Sequence, residues 1–326
     1  KAASNGRRDG NIDFGTNPCC EIILQPYQFC NLSEVICRAE DTLDTLREKV
    51  RLATILGTFQ ATLTNFNYLR KRWKDTTEKE RLLGVSLTGI MDCPAVYNAS
   101  EGTLQELRNV AVKTNKKLCE EIGIEQSAAV TCVKPSGTVS QLVDAASGIH
   151  ARHNPYYIRT VRGDNKDPLT MFMREKEIPN EPDFTAPESV TVFSFPMKSP
   201  EGAICRHDMT AIEQLELWHK IAENYCEHKP SVTISVKEHE WLEVGTWCWN
   251  NFDALSGISF LPFSDHSYKQ APYQDIDQTI YEATLSQMPP DIDWTELQMF
   301  ERGDTTSGSQ ELACTGGVCE IVDIGA

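Results

Sequence analysis

The fold class is decided by residues 127–140, which read SAAVTCVKPSGTVS. The first seven residues are small or β-branched and uncharged, which is typical of a strand buried on both faces. Small polar residues follow, and the pattern then predicts a helix through Ala146 that ends at Gly148. A strand that leads through a turn into a helix is the building unit of an α/β fold.

The rest of the chain repeats this alternation. Apolar residues recur at helical spacing in several segments, and short β-branched runs lie between them. We therefore expect an α/β protein with parallel connections. From residue 305 the composition turns small and polar, which predicts a mobile tail over 305–326. The predicted helices span 41–72 (one long helix or two joined), 104–122, 209–228 and 241–252, and the predicted strands span 21–24, 189–195, 231–236 and 257–262.

Composition and charge limit the kinds of partner. The 326 residues carry a formal net charge of −16, which disfavours the basic surface that nucleic acids need. No apolar run is long enough for a membrane span, and residues 1–10 lack the apolar core of a signal peptide. We expect a cytoplasmic protein without nucleic-acid or membrane partners. Because no initiator Met is present, we also expect a fragment with structure missing before Lys1.

Twelve cysteines are present, a count that suggests disulfides in a small secreted protein. This chain is long, lacks an export signal and spaces its cysteines irregularly, so we expect reduced thiols. Those in or beside apolar segments are predicted to be structural. They are Cys93, Cys119, Cys132, Cys205 and Cys226.

The turn after the first strand is a candidate phosphate site. Gly137 lets backbone N–H groups approach an anion, and Ser136, Thr138 and Ser140 can donate hydroxyl hydrogen bonds. The helix expected behind the turn would direct its positive end there. The alternative is a plain helix cap, and the Gly-Lys-Ser/Thr of a Walker loop is missing.

A second candidate site lies at residues 17–21, which read NPCCE. In an extended loop, Asn17, Cys19 and Glu21 would face one pocket and Cys20 the other side. A thiol, a carboxylate and an amide that converge on a substrate suit redox chemistry at a hydroxyl-bearing carbon. The alternatives are structural cysteines, or a Cys19 nucleophile that needs a histidine base.

Two further pairs of residues are open to interpretation. Cys314 and Cys319 flank Thr-Gly-Gly-Val, whose glycines would allow a disulfide to close in a redox shuttle. Half a zinc site or inert thiols are the alternatives, although zinc sites usually show tighter spacing and a second pair. His150 and His153 offer a metal alternative with only two ligands.

Together these motifs resemble the ribonucleotide reductases. The pattern Asn17-x-Cys19-x-Glu21, the later Cys30, the PSGTVSQ turn and the terminal Cys-x4-Cys occur in the family's order. The resemblance covers nearly the whole chain and is strongest to the adenosylcobalamin-dependent class II enzymes, especially the monomeric triphosphate-reducing type. The stretches that carry it further are RLLGVSLTG (81–89), VKPSGTVSQLVDAASGIH (133–150) and PYYIRTVRGD (155–164).

The resemblance implies a fold and a domain organisation. Family members form a ten-stranded α/β barrel from two antiparallel five-stranded halves, with a central finger loop that carries the radical cysteine. Residues 1–304 would be the C-terminal part of this barrel, with the finger loop at about 15–24, and residues 305–326 would be a redox-active tail.

The resemblance also implies roles for the site residues. Cys19 would be the thiyl radical that takes the ribose 3′ hydrogen, Glu21 the base on the 3′ hydroxyl, and Asn17 a partner of the ribose hydroxyls. Cys30 would be one of two thiols that reduce the 2′ position. Its partner lies in the N-terminal half of family members, which is absent from this sequence. The substrate phosphates would be held by Pro135, Ser136, Gly137, Thr138 and Ser140.

The cofactor and partners follow from the same resemblance. Cys314 and Cys319 would re-reduce the active-site disulfide and be recharged by thioredoxin or a similar reductant. Effector dNTP or ATP would bind the N-terminal half. Adenosylcobalamin is favoured because the sequence has no glycyl-radical motif, and its one adjacent tyrosine pair, Tyr156-Tyr157, follows the phosphate turn instead of lying near the C-terminal end. The alternatives are an oxygen-dependent class I subunit and an inactive nucleotide-binding remnant.

Overall fold

The computed structural model of the chain describes residues 6–263 and 269–301. The strands are β1 Gly15–Thr16, β2 Ile23–Leu24, β3 Asn31–Ile36, β4 Leu83–Thr88, β5 Thr131–Cys132, β6 Tyr156–Asp164, β7 Asn180–Pro182, β8 Val190–Lys198, β9 Val232–Val236, β10 Ile258–Pro262 and β11 Tyr273–Asp275. The helices are α1 Leu43–Gln60, α2 Lys71–Glu80, α3 Pro94–Tyr97, α4 Glu101–Ile122, α5 Val139–Leu142, α6 Pro168–Glu175, α7 Ala211–Asn224, α8 Trp241–Asn250, α9 Gln278–Leu285 and α10 Leu297–Phe300.

These elements fall into two compact units, and the α/β class is confirmed. The first unit contains residues 6–152 and 206–263. In it, β3, β4 and β5 form a parallel sheet in that order. A parallel bridge joins Val133 to Pro230, and the parallel pair β9 and β10 follows. The parallel connections expected from the alternation of strands and helices are confirmed here.

The central strand β4 is buried along its whole length because both faces of the sheet are covered. On one face, Gly57 of α1 lies against Leu83 and Ser33. On the other face, a β-carbon at Gly84 would lie 2.4 Å from Leu32 Cδ2 and 3.0 Å from Ile22 Cδ1. Glycine therefore lets the segment around Ile22, which contains the NPCCE stretch, approach the sheet closely.

The second unit, residues 153–205 and 269–301, is built differently. Its four strands run in the order β11-β6-β8-β7, and every neighbouring pair is antiparallel. Its core is formed by Phe172, Met173, Ile178 and Phe193. The expectation of parallel connections throughout the chain is wrong for this unit, because its sheet brings neighbouring strands together in opposite directions.

The helix predicted after the phosphate turn is much shorter than expected. It covers only α5, and Asp144 just beyond it has a left-handed backbone with φ 46°. The next residues are held by tertiary contacts, since Ala146 N donates to Asp92 Oδ2 at 2.7 Å. Gly148 therefore does not cap this helix. In the predicted 41–72 segment, the helix α1 ends at Gln60 and residues 61–70 are irregular, so the prediction is wrong beyond Gln60. The next helix, α2, begins only at Lys71.

The cysteine prediction is confirmed. All ten cysteines in the described part of the chain are reduced, and the five assigned to structural positions are buried. Burial raises the pKa of Cys93, Cys119 and Cys132, which keeps these thiols protonated and unreactive. None of the helices in the described ranges combines the length and apolar character that crossing a membrane requires.

Candidate active site

Residues 15–24 form a short hairpin, which we call the NPCCE hairpin. Its strands β1 and β2 pair antiparallel, and Cys20 N donates to the Asn17 carbonyl at 2.9 Å in the connecting turn. Ile22 N donates to Asn17 Oδ1 at 3.0 Å, so the Asn17 side chain closes the turn. Cys20 has φ 64°. The extended geometry expected for 17–21 is therefore wrong, because the chain reverses direction within this stretch.

Cys19 and Glu21 nevertheless both contact one cation, the Lys134 ammonium, which the sequence analysis missed. Lys134 Nζ lies 3.4 Å from Cys19 Sγ and 3.4 Å from Glu21 Oε1. Burial alone would lower the pKa of Lys134, but the Glu21 carboxylate and the Cys19 sulfur outweigh it and raise this pKa. The ammonium is thus held in its charged form between the two candidate catalytic groups.

The Glu21 carboxylate is prepared to accept a hydrogen bond. The residue is 0% exposed, and Lys229 N donates to its backbone carbonyl at 3.1 Å. Its second oxygen, Oε2, has no hydrogen-bond partner in the described part of the chain. A buried carboxylate oxygen without a donor is energetically costly, which marks it as a place where a ligand hydroxyl can bind.

The NPCCE hairpin is anchored at Ile23 from both sides. Arg8 Nη1 donates to the Ile23 carbonyl at 2.9 Å, and Arg8 also pairs with Glu80 through two bonds of 2.8 and 3.0 Å. Ile23 N donates to His228 Nδ1 at 3.3 Å, and His228 Nε2 contacts the Leu83 carbonyl at 2.9 Å. Burial, aided by the nearby Arg8, lowers the pKa of His228 to about 3. The neutral ring therefore donates from Nε2 and accepts at Nδ1.

Cys30 lies one residue before β3, beside the cluster of Leu82, Ala128 and Ala129. Desolvation raises its pKa far above the usual range for a thiol, and the charge of Glu21 adds to this effect while Arg8 opposes it. Since the charge of Glu21 acts on the Cys30 sulfur, Cys30 lies within electrostatic reach of the hairpin. It remains a protonated thiol that can give up a hydrogen atom.

The PSGTVS turn divides into an internal part and an open part. Ser136 has φ 48° and is 2% exposed, and its hydroxyl faces the Glu34 carboxyl. Ser140 donates to the Ser136 carbonyl and lies 2.9 Å from Ser147 Oγ, so its hydroxyl stabilises the turn itself. Gly137 and Thr138 are exposed. Pro135 is partly buried at the start of the turn.

The parallel register places the candidate site on one face of the sheet. Glu34 pairs with Ser86, and Ser86 pairs with Cys132 on the next strand. Ser86 Oγ accepts from Lys134 N at 2.9 Å, which attaches the start of the turn to the sheet. Burial raises the pKa of Glu34, and the Ser136 hydroxyl and Lys134 partly offset it. Glu34 is therefore a further acidic group beside the turn.

One glycine fixes the peptide of Lys134. Gly148 has φ 56°, and a β-carbon there would lie 2.3 Å from the Lys134 carbonyl oxygen. The conformation and the close approach both require glycine. The backbone of Lys134 is therefore held at its nitrogen by Ser86 and at its carbonyl by this contact.

The comparisons with known proteins agree with the motifs. No family model matches the chain. A Euglena gracilis protein named adenosylcobalamin-dependent ribonucleoside-triphosphate reductase is 27% identical over 330 residues, which cover 96% of this chain and 44% of that protein. A protein of the same name from Lactobacillus acidophilus is 27% identical over 341 residues, covering 94% of this chain and 45% of that protein. The chain is a homologue of these adenosylcobalamin-dependent reductases.

The fold agrees with this relationship. A crystal structure of a B12-dependent (class II) ribonucleotide reductase matches with a TM-score of 0.74 and 22% identity, covering 91% of this chain and 45% of that one. The resemblance to the class II reductases that the motifs predicted is confirmed. The chain spans less than half the length of the relatives it matches.

The structure does not support the alternative that His150 and His153 bind a metal ion. His150 donates from Nδ1 to the Ser147 carbonyl at 2.9 Å, and its Nε2 accepts from Thr233 N at 3.0 Å. Both nitrogens are thus engaged, and burial lowers the pKa of this ring. Within the described residues, no group of three or more side chains could hold a metal ion. Cys314 and Cys319 lie outside the described residues.

Four residues of the site region were missed in the sequence analysis. Lys134 stands beside the PSGTVS turn, and its position next to a candidate phosphate site was the one available signal. Arg8 precedes the NPCCE stretch and Glu34 follows Cys30 within a few residues, whereas His228 is distant in sequence, and the fold brings all three to the site region. No spacing rule connects them.

Proposed function

We propose that the protein containing this chain reduces ribonucleotides to 2′-deoxyribonucleotides through a thiyl radical at Cys19. The observation that carries the proposal is the contact of Cys19 Sγ and Glu21 Oε1 with the same ammonium, each at 3.4 Å, in a homologue of the adenosylcobalamin-dependent reductases. A thiyl radical beside a buried carboxylate can take the hydrogen atom from a substrate carbon while the carboxylate accepts the proton of the hydroxyl on that carbon.

The residues of the site divide the chemistry between them. The Cys19 radical takes the 3′ hydrogen of the ribose, while Glu21 Oε2, which lacks a donor, accepts the 3′ hydroxyl proton. Asn17 uses Oδ1 to close the hairpin, so its amide nitrogen is the group that donates to a ribose hydroxyl. Both groups act on the same edge of the sugar.

The reduction requires two electrons and releases water. The 2′ carbon–oxygen bond breaks, the hydroxyl leaves as water, and a new carbon–hydrogen bond forms at 2′. Cys30 and a second thiol supply the electrons and become a disulfide, and Cys19 returns the hydrogen atom to the 3′ carbon. The raised pKa of Cys30 suits this role, because a protonated thiol carries the hydrogen that is transferred. Its partner is expected in the N-terminal half of the protein.

Substrate phosphates would bind the PSGTVS turn. Gly137 and Thr138 are exposed, and the buried Ser136 hydroxyl, which faces the Glu34 carboxyl, completes the set of three residues that would donate to phosphate oxygens. Pro135 shapes the turn, and Ser140 supports it from inside. The names of the relatives favour a triphosphate substrate. The helix behind the turn has only four residues, so the backbone and hydroxyls carry this site.

Adenosylcobalamin is the proposed source of the radical. The donor set of the hairpin fits it, because Cys19 is a reduced, partly exposed thiol and Pro18 beside it is exposed. This tip would face the cofactor, which when bound supplies the radical that takes the hydrogen atom from the thiol. We further propose that thioredoxin or a similar reductant acts through Cys314 and Cys319, and that dNTP or ATP effectors bind outside this chain.

The test uses the protein at its full natural length with adenosylcobalamin, thioredoxin and a ribonucleoside triphosphate, and measures deoxynucleotide by chromatography. Cys19→Ser is expected to abolish product, while the matched control Cys20→Ser retains it. Glu21→Gln is expected to lower the rate by about 10²-fold or more, since one positioned acid–base group contributes that much. Deoxynucleotide formation by Cys19→Ser would show that the radical residue is assigned wrongly.

A further inference from the structure

The contact between Lys134 and both candidate catalytic groups goes beyond the roles that the motifs assign. We propose that Lys134 is a positioning residue, which forms the ion pair of the buried Glu21 side chain and holds the Cys19 sulfur beside it. This inference rests on the proposed function for its effect on turnover. Its effect on the thiol itself stands independently of that function.

The backbone around Lys134 is built to hold its side chain in place. Ser86 Oγ accepts from its N–H at 2.9 Å, and Gly148 packs against its carbonyl oxygen. Its side chain is 32% exposed, so it passes between solvent and the fully buried Glu21. The fixed peptide gives the Lys134 side chain a defined starting point, and the rotamer freedom of the side chain is the remaining entropy cost of the contact.

The charged groups near the Lys134 ammonium favour its ion pair with Glu21. Glu21 Oε1 and Cys19 Sγ each lie 3.4 Å away, and Glu34 is the further acidic group within its electrostatic reach. Of the basic side chains in ranges 6–263 and 269–301, Lys134 is the one that forms an ion pair with Glu21. Lys229 also interacts electrostatically with Glu21. Because burial lowers the pKa of Lys229, this lysine is a weaker countercharge for Glu21 than Lys134.

The buried thiols near Glu21 supply no countercharge. Burial raises the pKa of Cys30 and Cys132, and the charge of Glu21 adds to this effect, so both thiols stay neutral. A buried carboxylate needs a cation to stay ionised. Removing the Lys134 ammonium therefore favours the protonated carboxyl, which cannot accept the proton of a substrate hydroxyl.

The first measurement is the pH profile of turnover in the full-length protein for Lys134→Met and Lys134→Arg, with Lys116→Met as the matched control. Lys116 is an exposed helix lysine outside the site. We expect the acidic limb of the Lys134→Met profile to move up by at least about one pH unit, with about tenfold lower kcat at pH 7. KM should stay within about twofold, and Lys134→Arg should restore the profile.

The second measurement does not depend on turnover. In a Cys20→Ser background, the rate of Cys19 alkylation by iodoacetamide is followed by mass spectrometry from pH 6.5 to 9.5. A cation beside the sulfur favours the thiolate, so Lys134→Met should move the half-maximal rate to higher pH and Lys134→Arg should move it back. Lys116→Met should match the parent protein.

These outcomes separate the two proposals. If the parent protein makes no deoxynucleotide but Lys134→Met changes Cys19 alkylation, the proposed function fails and the role of Lys134 stands. If neither the pH profile nor the alkylation changes in Lys134→Met, or if Lys134→Arg restores neither, the role of Lys134 is overturned. Circular dichroism and the thermal midpoint check folding, and Lys134→Gln replaces Lys134→Met if that variant does not fold.

Discussion

Replacing the buried His228 by glutamine should change how the stability of the protein depends on pH. In the unfolded chain this imidazole takes up a proton below pH 6.5, whereas in the fold its pKa is lowered to about 3. Protonation therefore stabilises the unfolded state between these values, and the native protein loses about 1.4 kcal/mol per pH unit as the pH falls. From pH 7.5 to 5.0 the loss from this group is about 2 kcal/mol.

Glutamine keeps a donor and an acceptor but does not titrate. Urea unfolding of the full-length protein, followed by tryptophan fluorescence at pH 7.5 and 5.0, measures the difference. The parent protein should lose about 2 kcal/mol more than His228→Gln over this interval, even though the variant is less stable at pH 7.5. The control His239→Gln removes an exposed histidine and should leave the parent's loss unchanged. Equal losses in the parent and His228→Gln would refute the neutral, buried state of this ring.

Three further changes test the hairpin and the tail. Arg8→Met leaves the buried Glu80 carboxylate without its cation and should cost about 3–5 kcal/mol in urea unfolding, part of which a second Glu80→Gln change recovers; no recovery would contradict the pairing. Cys20→Gly relieves a φ of 64° and should be neutral or stabilising by up to about 1 kcal/mol, while Cys20→Val should lower the thermal midpoint. Cys314→Ser/Cys319→Ser should stop thioredoxin-driven turnover but spare a single turnover of prereduced protein, and loss of both would make the tail's role structural.

The candidate site was predicted in its residue types but not in its geometry. Alternation along an extended strand was the reason given for grouping Cys19 with Glu21, and the chain instead turns at Cys20. What joins the two groups is Lys134, more than one hundred residues away in sequence. Local periodicity describes neighbours along one strand, so it cannot reveal a contact that depends on how two strands of a sheet are placed.

The fold was predictable where burial patterns are long and regular. The strand predicted at 231–236 and the helix at 241–252 appear as β9 and α8. The conformation after the PSGTVS turn was not predicted correctly, because two tertiary hydrogen bonds override the helical pattern. Ala146 N donates to Asp92, and Arg38 donates to the Asp144 carbonyl. Tertiary hydrogen bonds of this kind leave no periodic trace in the sequence.

Two arginines that come just before the NPCCE hairpin attach this part of the chain to the first unit, and the second of them also holds the hairpin. Arg7 Nη2 donates to both carboxylate oxygens of Glu227 at 2.6 Å, and Arg8 donates to the Glu80 carboxylate and to the Ile23 carbonyl. An expression clone that began at Phe14 would keep every proposed catalytic residue of the hairpin and yet lose both arginines. Such a truncated protein is expected to retain its thiol and carboxylate but to present them on a loosened hairpin, so the useful domain boundary lies upstream of Arg7.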